Sequence, residues 1–164
     1  MIAALLLPAA LAAPVNELYL SMGGFTHASS RQLVAGAGGG LGYRRSEVLG
    51  PLNVHASVTG LVFSVPAVGL TAGSTVPLWQ RGIYQPEAGL EVSTWWGAIK
   101  LVTAENPALL VGPAASASLR LRPAVFHLEG YDVSFAELAY GRAFEALSDS
   151  HTLDVTVMAM GRRW

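Results

Sequence analysis

The chain contains no cysteine, which excludes disulfides, thiolate metal sites and cysteine nucleophiles together. Charge is also scarce. Asp, Glu, Lys and Arg make up 13% of the 164 residues, against about a quarter in ordinary soluble domains. A soluble domain draws on roughly 25–35% charged residues for its surface, and this chain cannot supply them. Neither sign dominates, with 10 Lys+Arg against 11 Asp+Glu, and there is no basic run. No nucleic-acid partner is expected. Long apolar runs are missing as well. Beyond residue 13, Gly and charged residues interrupt every candidate for the ~20-residue apolar stretch of a spanning helix. Almost no segment keeps a helical period, residues 135–147 being the best exception. Yet hydrophobic residues reach 52%. Either much of the surface meets lipid or a partner, or the chain is unusually apolar for a soluble protein. If it spans a membrane it must do so with strands, and the sheet must close so that no backbone group is left unpaired in lipid.

What is present is alternation. Residues 111–122, VGPAASASLRLR, place Ala115, Ala117, Leu119 and Leu121 on one face and Ser116, Ser118, Arg120 and Arg122 on the other, because successive strand side chains point to opposite sides. Similar segments cover residues 16–28, 32–45, 53–65, 68–79, 87–103 and 152–164. Residues 124–144 are long for one strand and contain the turn-like Glu129-Gly130-Tyr131-Asp132; counted as one, they bring the total to eight. Gly36, Gly38, Gly40 and Gly42 share one face of the second segment, leaving room for large side chains opposite or permitting strong coiling. Their spacing is not that of a dinucleotide loop. Most connections read as short: Ser29-Ser30-Arg31, Pro66-Ala67, Glu105-Asn106-Pro107, and about eight residues around Leu49-Gly50-Pro51.

Residues 1–13, MIAALLLPAALAA, have the apolar core and small-x-small end of a secretory signal peptide, without a preceding Lys or Arg. They read as a signal peptide or a retained apolar segment, and residues 14–164 as one β-barrel domain.

Alternation alone leaves open which face is outside. A soluble barrel turns its apolar face inward, a membrane barrel outward. The scarcity of charge favours the second. So does the polar face, where Glu87 and Glu91 on the fifth segment would meet Arg120 and Arg122 on the antiparallel sixth. The chain thus resembles the small eight-stranded outer-membrane barrels of Gram-negative bacteria, the OmpA-like, OmpX-like and OmpW-like proteins. The resemblance rests on pattern across residues 14–164. The closing VTVMAMGRRW ends on Trp164, where that family usually has Phe. It implies an all-β fold: a single closed, antiparallel, up-and-down transmembrane β-barrel of about eight strands with short connections. It implies export to the bacterial outer membrane, outer-membrane lipid and other envelope proteins as partners, and a non-enzymatic structural or membrane-anchoring role without a cofactor. Ala115, Ala117, Leu119 and Leu121 would then be lipid-facing.

Two further readings belong to particular residues. His55 and Ser57 lie two apart on one polar face. With Glu91, Glu87 or Glu137 they form the set a serine hydrolase needs: nucleophile, base and orienting carboxylate. Outer-membrane lipid A deacylases, also eight-stranded barrels, use such a set, but near the C-terminal end and on the lipid side. A polar interior strand face explains the same pair without catalysis. Glu87, Glu91, Arg120 and Arg122 could form a selectivity ring, or an interior network, since buried charges must be paired. His27, His127 and His151 show neither H-x-H nor H-E-x-x-H spacing, so no metal is expected. Trp79, Trp95, Trp96, Trp164, Tyr19, Tyr43 and Tyr140 fit interfacial girdles. The remaining alternative is an exported soluble barrel holding a small apolar ligand.

Overall fold

Each alternating segment becomes a strand because a period of two puts all its apolar side chains on one face of a sheet and its polar ones on the other. A computed structural model describes residues 15–29, 33–61, 67–97, 99–100, 109–110, 114–145 and 148–164. The leader expected over residues 1–13, the third segment beyond Leu61 and the Glu105-Asn106-Pro107 turn lie outside the described residues. The strands are β1 (Asn16–Ser29), β2 (Leu33–Leu49), β3 (Leu52–Leu61), β4 (Ala67–Pro77), β5 (Glu87–Gly97), β6 (Ile99–Lys100), β7 (Leu109–Leu110), β8 (Ala114–Arg122), β9 (Ala124–Leu128), β10 (Tyr131–Glu145) and β11 (Ser148–Arg163). Every pairing is antiparallel, and β11 pairs with β1 to close the sheet.

Eleven strands make eight barrel staves. β6 and β7 pair Ile99 with Leu110, in the unchanged register of β5 and β8. β8 and β9 share one register on β10, Leu121 opposite Leu138 and Ala124 opposite Phe135. They are one stave interrupted at Pro123, which has no N–H for the ladder. The reading of residues 124–144 as a single strand is therefore corrected. Residues 124–128 complete the sixth stave, the chain turns at Glu129-Gly130 with Gly130 at φ 74°, and β10 is the seventh. The connection around Leu49-Gly50-Pro51 is shorter than expected, because β2 runs on to Leu49 and only Gly50 and Pro51 separate it from β3. The longer one is Leu78 to Pro86. It doubles back on itself, Arg81 with Tyr84, and lies along β9 through Gln85 N–H to Val125 O (2.9 Å) and His127 N–H to Ile83 O (2.7 Å).

Tracing hydrogen-bonded partners around the barrel from Asn16 leads through Arg45, Val54, Ser74, Leu90, Leu119, Tyr140 and Leu153 to Thr26, ten residues further along β1. That stagger sets the strand tilt, roughly 35–45° from the axis in closed barrels of this kind. Two irregularities interrupt the ladders: the β2–β3 register shifts between Arg45 and Leu49, and a bulge lies between β1 and β11. Met22 pairs with Met158 and Gly23 with Thr156, leaving Val157 extra. Across from it Ala136 takes φ 55°, a left-handed conformation that costs an L-residue about 1–2 kcal/mol. Ser134 and Glu137, three apart, consequently both face inward.

The faces are now settled by burial. Leu20, Leu90, Leu119 and Phe144 stand outward, each more than 60% exposed, while Glu87, Arg122 and Glu137 are at most 2% exposed. This is an apolar outside around a charged inside.

Candidate functional site: the interior charge network

The inward residues of five staves meet within the barrel nearer the end that carries both termini. Arg122 donates through Nη1 to Glu87 Oε2 (2.5 Å) and through Nε to Glu137 Oε1 (2.8 Å). Arg120 donates through Nη1 to Glu91 Oε2 (2.5 Å) and through Nη2 to Glu137. Glu137 therefore links two arginines, and Ser134 Oγ donates to the same carboxylate. Glu87 also accepts from Thr75 Oγ1 (2.9 Å) and Asn53 Nδ2 (3.2 Å), and Asn53 Oδ1 accepts the Glu47 N–H (3.0 Å). A second pair, Arg44 Nη1 to Glu17 Oε2 (2.7 Å), lies under Tyr19, whose ring centroid is 5.0 Å from the guanidinium carbon. Near the rim, Asp132 holds His127 (2.7 Å) and Arg163 (3.3 Å).

The pairing follows from the low dielectric of a narrow barrel. A buried ion without a partner costs several kcal/mol, so Glu17, Glu87, Glu91, Glu137 and Asp132 are each set against a guanidinium on an adjacent stave. Arg122 opposes Glu87 on β5 and Glu137 on β10 because β8 lies between those two strands. Glycines make space for the larger side chains. Tyr19 lies against Gly42, where a Cβ would collide with the ring.

Past this network is a cavity with room for about 30 Å³ of water-sized contents, lined by Ser57, Thr71, Asp154 and Thr156 among others. Phe25 and Trp95, with ring centroids 4.7 Å apart, pack beyond it with Ala67 and Leu61. The barrel is thus filled by its own side chains, as small barrels generally are.

Glu87, Glu91, Arg120 and Arg122 all point inward and are joined in one network. Leu119 and Leu121 point outward, and Ala115 and Ala117 lie in the same outward row. His55 is inside, its Nε2 3.7 Å from Glu91 Oε2, an ionic approach too long for a hydrogen bond. No hydrogen bond joins Ser57 to His55 among the described residues, so the geometry does not assemble a nucleophile with its base. Among those residues no three His, Asp or Glu side chains converge on a metal-sized site.

Two aromatics depart from the girdle reading. Trp95 and Tyr19 are buried inside the barrel, because each falls on the inward parity of its strand. Trp79, Trp96, Trp164, Tyr43 and Tyr140 are exposed. The sequence reading overlooked Glu17, Arg44, Asn53 and Ser134 as network members and considered Glu137 only as a hydrolase carboxylate. Glu17 and Arg44 were reachable by extending the polar rows of their strands. Glu137 was not, since the bulge at Ala136 shifts its parity.

No protein-family model matches the sequence, and the comparison with curated proteins finds no match. Solved structures do match. Neisserial surface protein A superimposes with a TM-score of 0.66 at 8% identity, over 91% of this chain and 96% of that one. The N-terminal β-barrel domain of Pseudomonas aeruginosa OprF superimposes with a TM-score of 0.50 at 14% identity, over 92% and 97%. At such identities the likeness is one of fold. It is the closed, antiparallel, eight-stranded fold of the small outer-membrane barrels that this chain adopts.

Proposed function

We propose that the chain is a non-enzymatic β-barrel of the bacterial outer membrane, serving as a structural envelope component or as the membrane-anchoring subunit of a larger assembly. The observation that carries this reading is the inversion of the barrel: paired charges inside, large apolar side chains outside. A water-soluble barrel would place those faces the other way round. Exposed Trp79, Trp164, Tyr43 and Tyr131 toward the end with the termini, and Trp96 and Tyr140 toward the other, bracket the apolar zone in the manner of interfacial aromatics. β11 pairs with β1, so the nine-stranded sheet closes on itself, as a sheet in lipid must. Lipid contact is made by the row Ala115, Ala117, Leu119 and Leu121.

The test is fractionation of cells expressing the full chain, followed by electrophoresis of boiled and unboiled samples. The chain is expected in the outer-membrane fraction with a heat-modifiable band. Recovery in the soluble fraction, without heat modifiability, would overturn the reading. Lipid acyl composition is expected to be the same with wild type and Ser57→Ala; acyl loss that depends on Ser57 would make the chain a hydrolase instead.

A further inference from the structure

The outer wall carries two arginines at the end with the termini, Arg45 on β2 and Arg162 on β11. Both are exposed. Each falls in the outward row of its strand, Arg45 two residues from exposed Tyr43 and Arg162 two from exposed Met160. They flank β1: Asn16 pairs with Arg45 on one side, and Leu18 with Arg162 on the other. The two backbones are therefore two strand spacings apart, about 9.5 Å. Asn16 and Leu18, in the outward row of β1, stand between them, and side chains as long as arginine can meet over that strand.

This stretch of wall offers donors and no carboxylate. Tyr43 donates its hydroxyl to Asn16 Oδ1 (2.6 Å), which orients the amide and leaves Nδ2 to donate elsewhere. Among the described residues neither guanidinium has a hydrogen bond or an ion pair. The inward arginines differ, since Arg44, Arg120 and Arg122 are all held by glutamates. Exposed Glu47 and Glu129 lie further out, toward the turns that follow β2 and β9. In the other direction exposed Leu18 and Leu20 continue the β1 row into the apolar band.

We propose that Arg45 and Arg162 hold the phosphate of one phospholipid of the adjoining leaflet over β1, with Asn16 Nδ2 as a third donor and the acyl chains lying along Leu18 and Leu20. The inference rests on the membrane reading above. Guanidinium forks suit phosphate oxygens, and basic groups at the edge of a spanning segment favour anionic headgroups. Exposed Tyr43 and Trp164 mark this depth as the interface, where lipid phosphates lie. Charge selects this occupant over a second copy of the chain, because a two-fold contact through the same face would set arginine against arginine.

Native mass spectrometry of the detergent-solubilised full chain tests it, with folding read separately from the heat-modifiable band. A wild type without that band strikes the membrane-barrel reading; a folded barrel that retains no lipid strikes this one alone. Wild type is expected to retain one dioleoyl phosphatidylglycerol. Dioleoylglycerol, which lacks the phosphate, and glycerol 3-phosphate, which lacks the chains, should be held about tenfold or more weakly. Arg45→Gln and Arg162→Gln should each reduce phosphatidylglycerol retention about tenfold, the scale of one charge-assisted contact. Arg81→Gln removes another exposed cation of the same end, in the connection between β4 and β5, and should leave retention unchanged. If a Gln variant does not fold, Arg45→Lys combined with Arg162→Lys replaces it; the charges stay, the forks are lost, and retention should still fall severalfold. Equal retention by wild type and the folded Arg45 and Arg162 variants overturns the proposal, as does equal retention of dioleoylglycerol. So does an equal loss in Arg81→Gln, which would make the attraction one of net charge. Glycerol 3-phosphate held as tightly as the lipid, or a dimer that excludes lipid, would likewise overturn it in favour of a free phosphate or a second copy.

Discussion

At the scale of single residues, the interior network has a sign. Glu87, Glu91 and Glu137 face Arg120 and Arg122, three carboxylates to two guanidiniums. Removing an arginine worsens the imbalance, whereas removing a glutamate relieves it. Arg122→Met is therefore expected to destabilise the barrel by about 3–5 kcal/mol, the range for stranding a buried charge. Glu137→Gln should cost less, although Glu137 and Arg122 each touch three partners. Urea unfolding of the barrel in lipid vesicles ranks the two, and the opposite order would mean that contacts rather than charge balance govern this site. Glu91→Gln combined with Arg120→Met should likewise cost less than Arg120→Met alone; strictly additive losses would show that the pair does not interact.

At the scale of the strand, two residues other than glycine take a left-handed conformation, Glu47 near the end of β2 (φ 58°) and Ala136 within β10 (φ 55°). Ala136 brings Ser134 and Glu137 to the same interior. Glycine adopts this conformation without a Cβ clash but loses more freedom on folding. Ala136→Gly should therefore stabilise the protein by a net 0.5–1 kcal/mol or so, and Ala136→Val should destabilise it, because β-branched side chains fit the left-handed region worst. The urea midpoints of the two variants should fall on opposite sides of wild type. Midpoints shifted the same way would mean that the bulge is held by something other than this residue. On β8 the outward row offers a second test. Leu119→Arg places a cation in the middle of the apolar band, where the cost in barrels is about 2–4 kcal/mol, and heat-modifiable assembly should fall accordingly.

At the scale of the whole molecule, the absence of cysteine makes any introduced thiol unique. In intact vesicles Leu119→Cys should resist a water-soluble maleimide and react only after denaturation. Glu129→Cys, in the exposed turn between β9 and β10, should react in a folded barrel whose terminal end faces the reagent. Rapid labelling at 119 in the folded, membrane-bound state would invert the faces and with them the membrane reading. The stagger of ten residues links the scales. It tilts every strand, so a row of cross-strand partners such as Ala56, Ala72, Val92 and Ala117 runs obliquely round the wall.

By itself, the sequence determined the class of architecture. Few charges, no spanning helix and strict alternation leave a closed sheet as the way to satisfy the backbone in lipid, and the parity of Ser116 to Arg122 places Arg120 and Arg122 on one face. Parity is local, so it was legible wherever a strand ran without interruption, as in residues 87–97 and 114–122. Tertiary structure decided whatever depends on partners in other strands. Pro123 looks like a strand boundary, yet β9 continues β8 because both pair with β10 in one register. Residues 135–145 carry the best helical period in the sequence yet are strand, and the bulge at Ala136 puts Ser134 and Glu137 three apart on one face, a spacing that strict alternation does not give. The hub role of Glu137 arises only when register brings β5, β8 and β10 together. A one-dimensional pattern records which way a side chain points, but not what it meets.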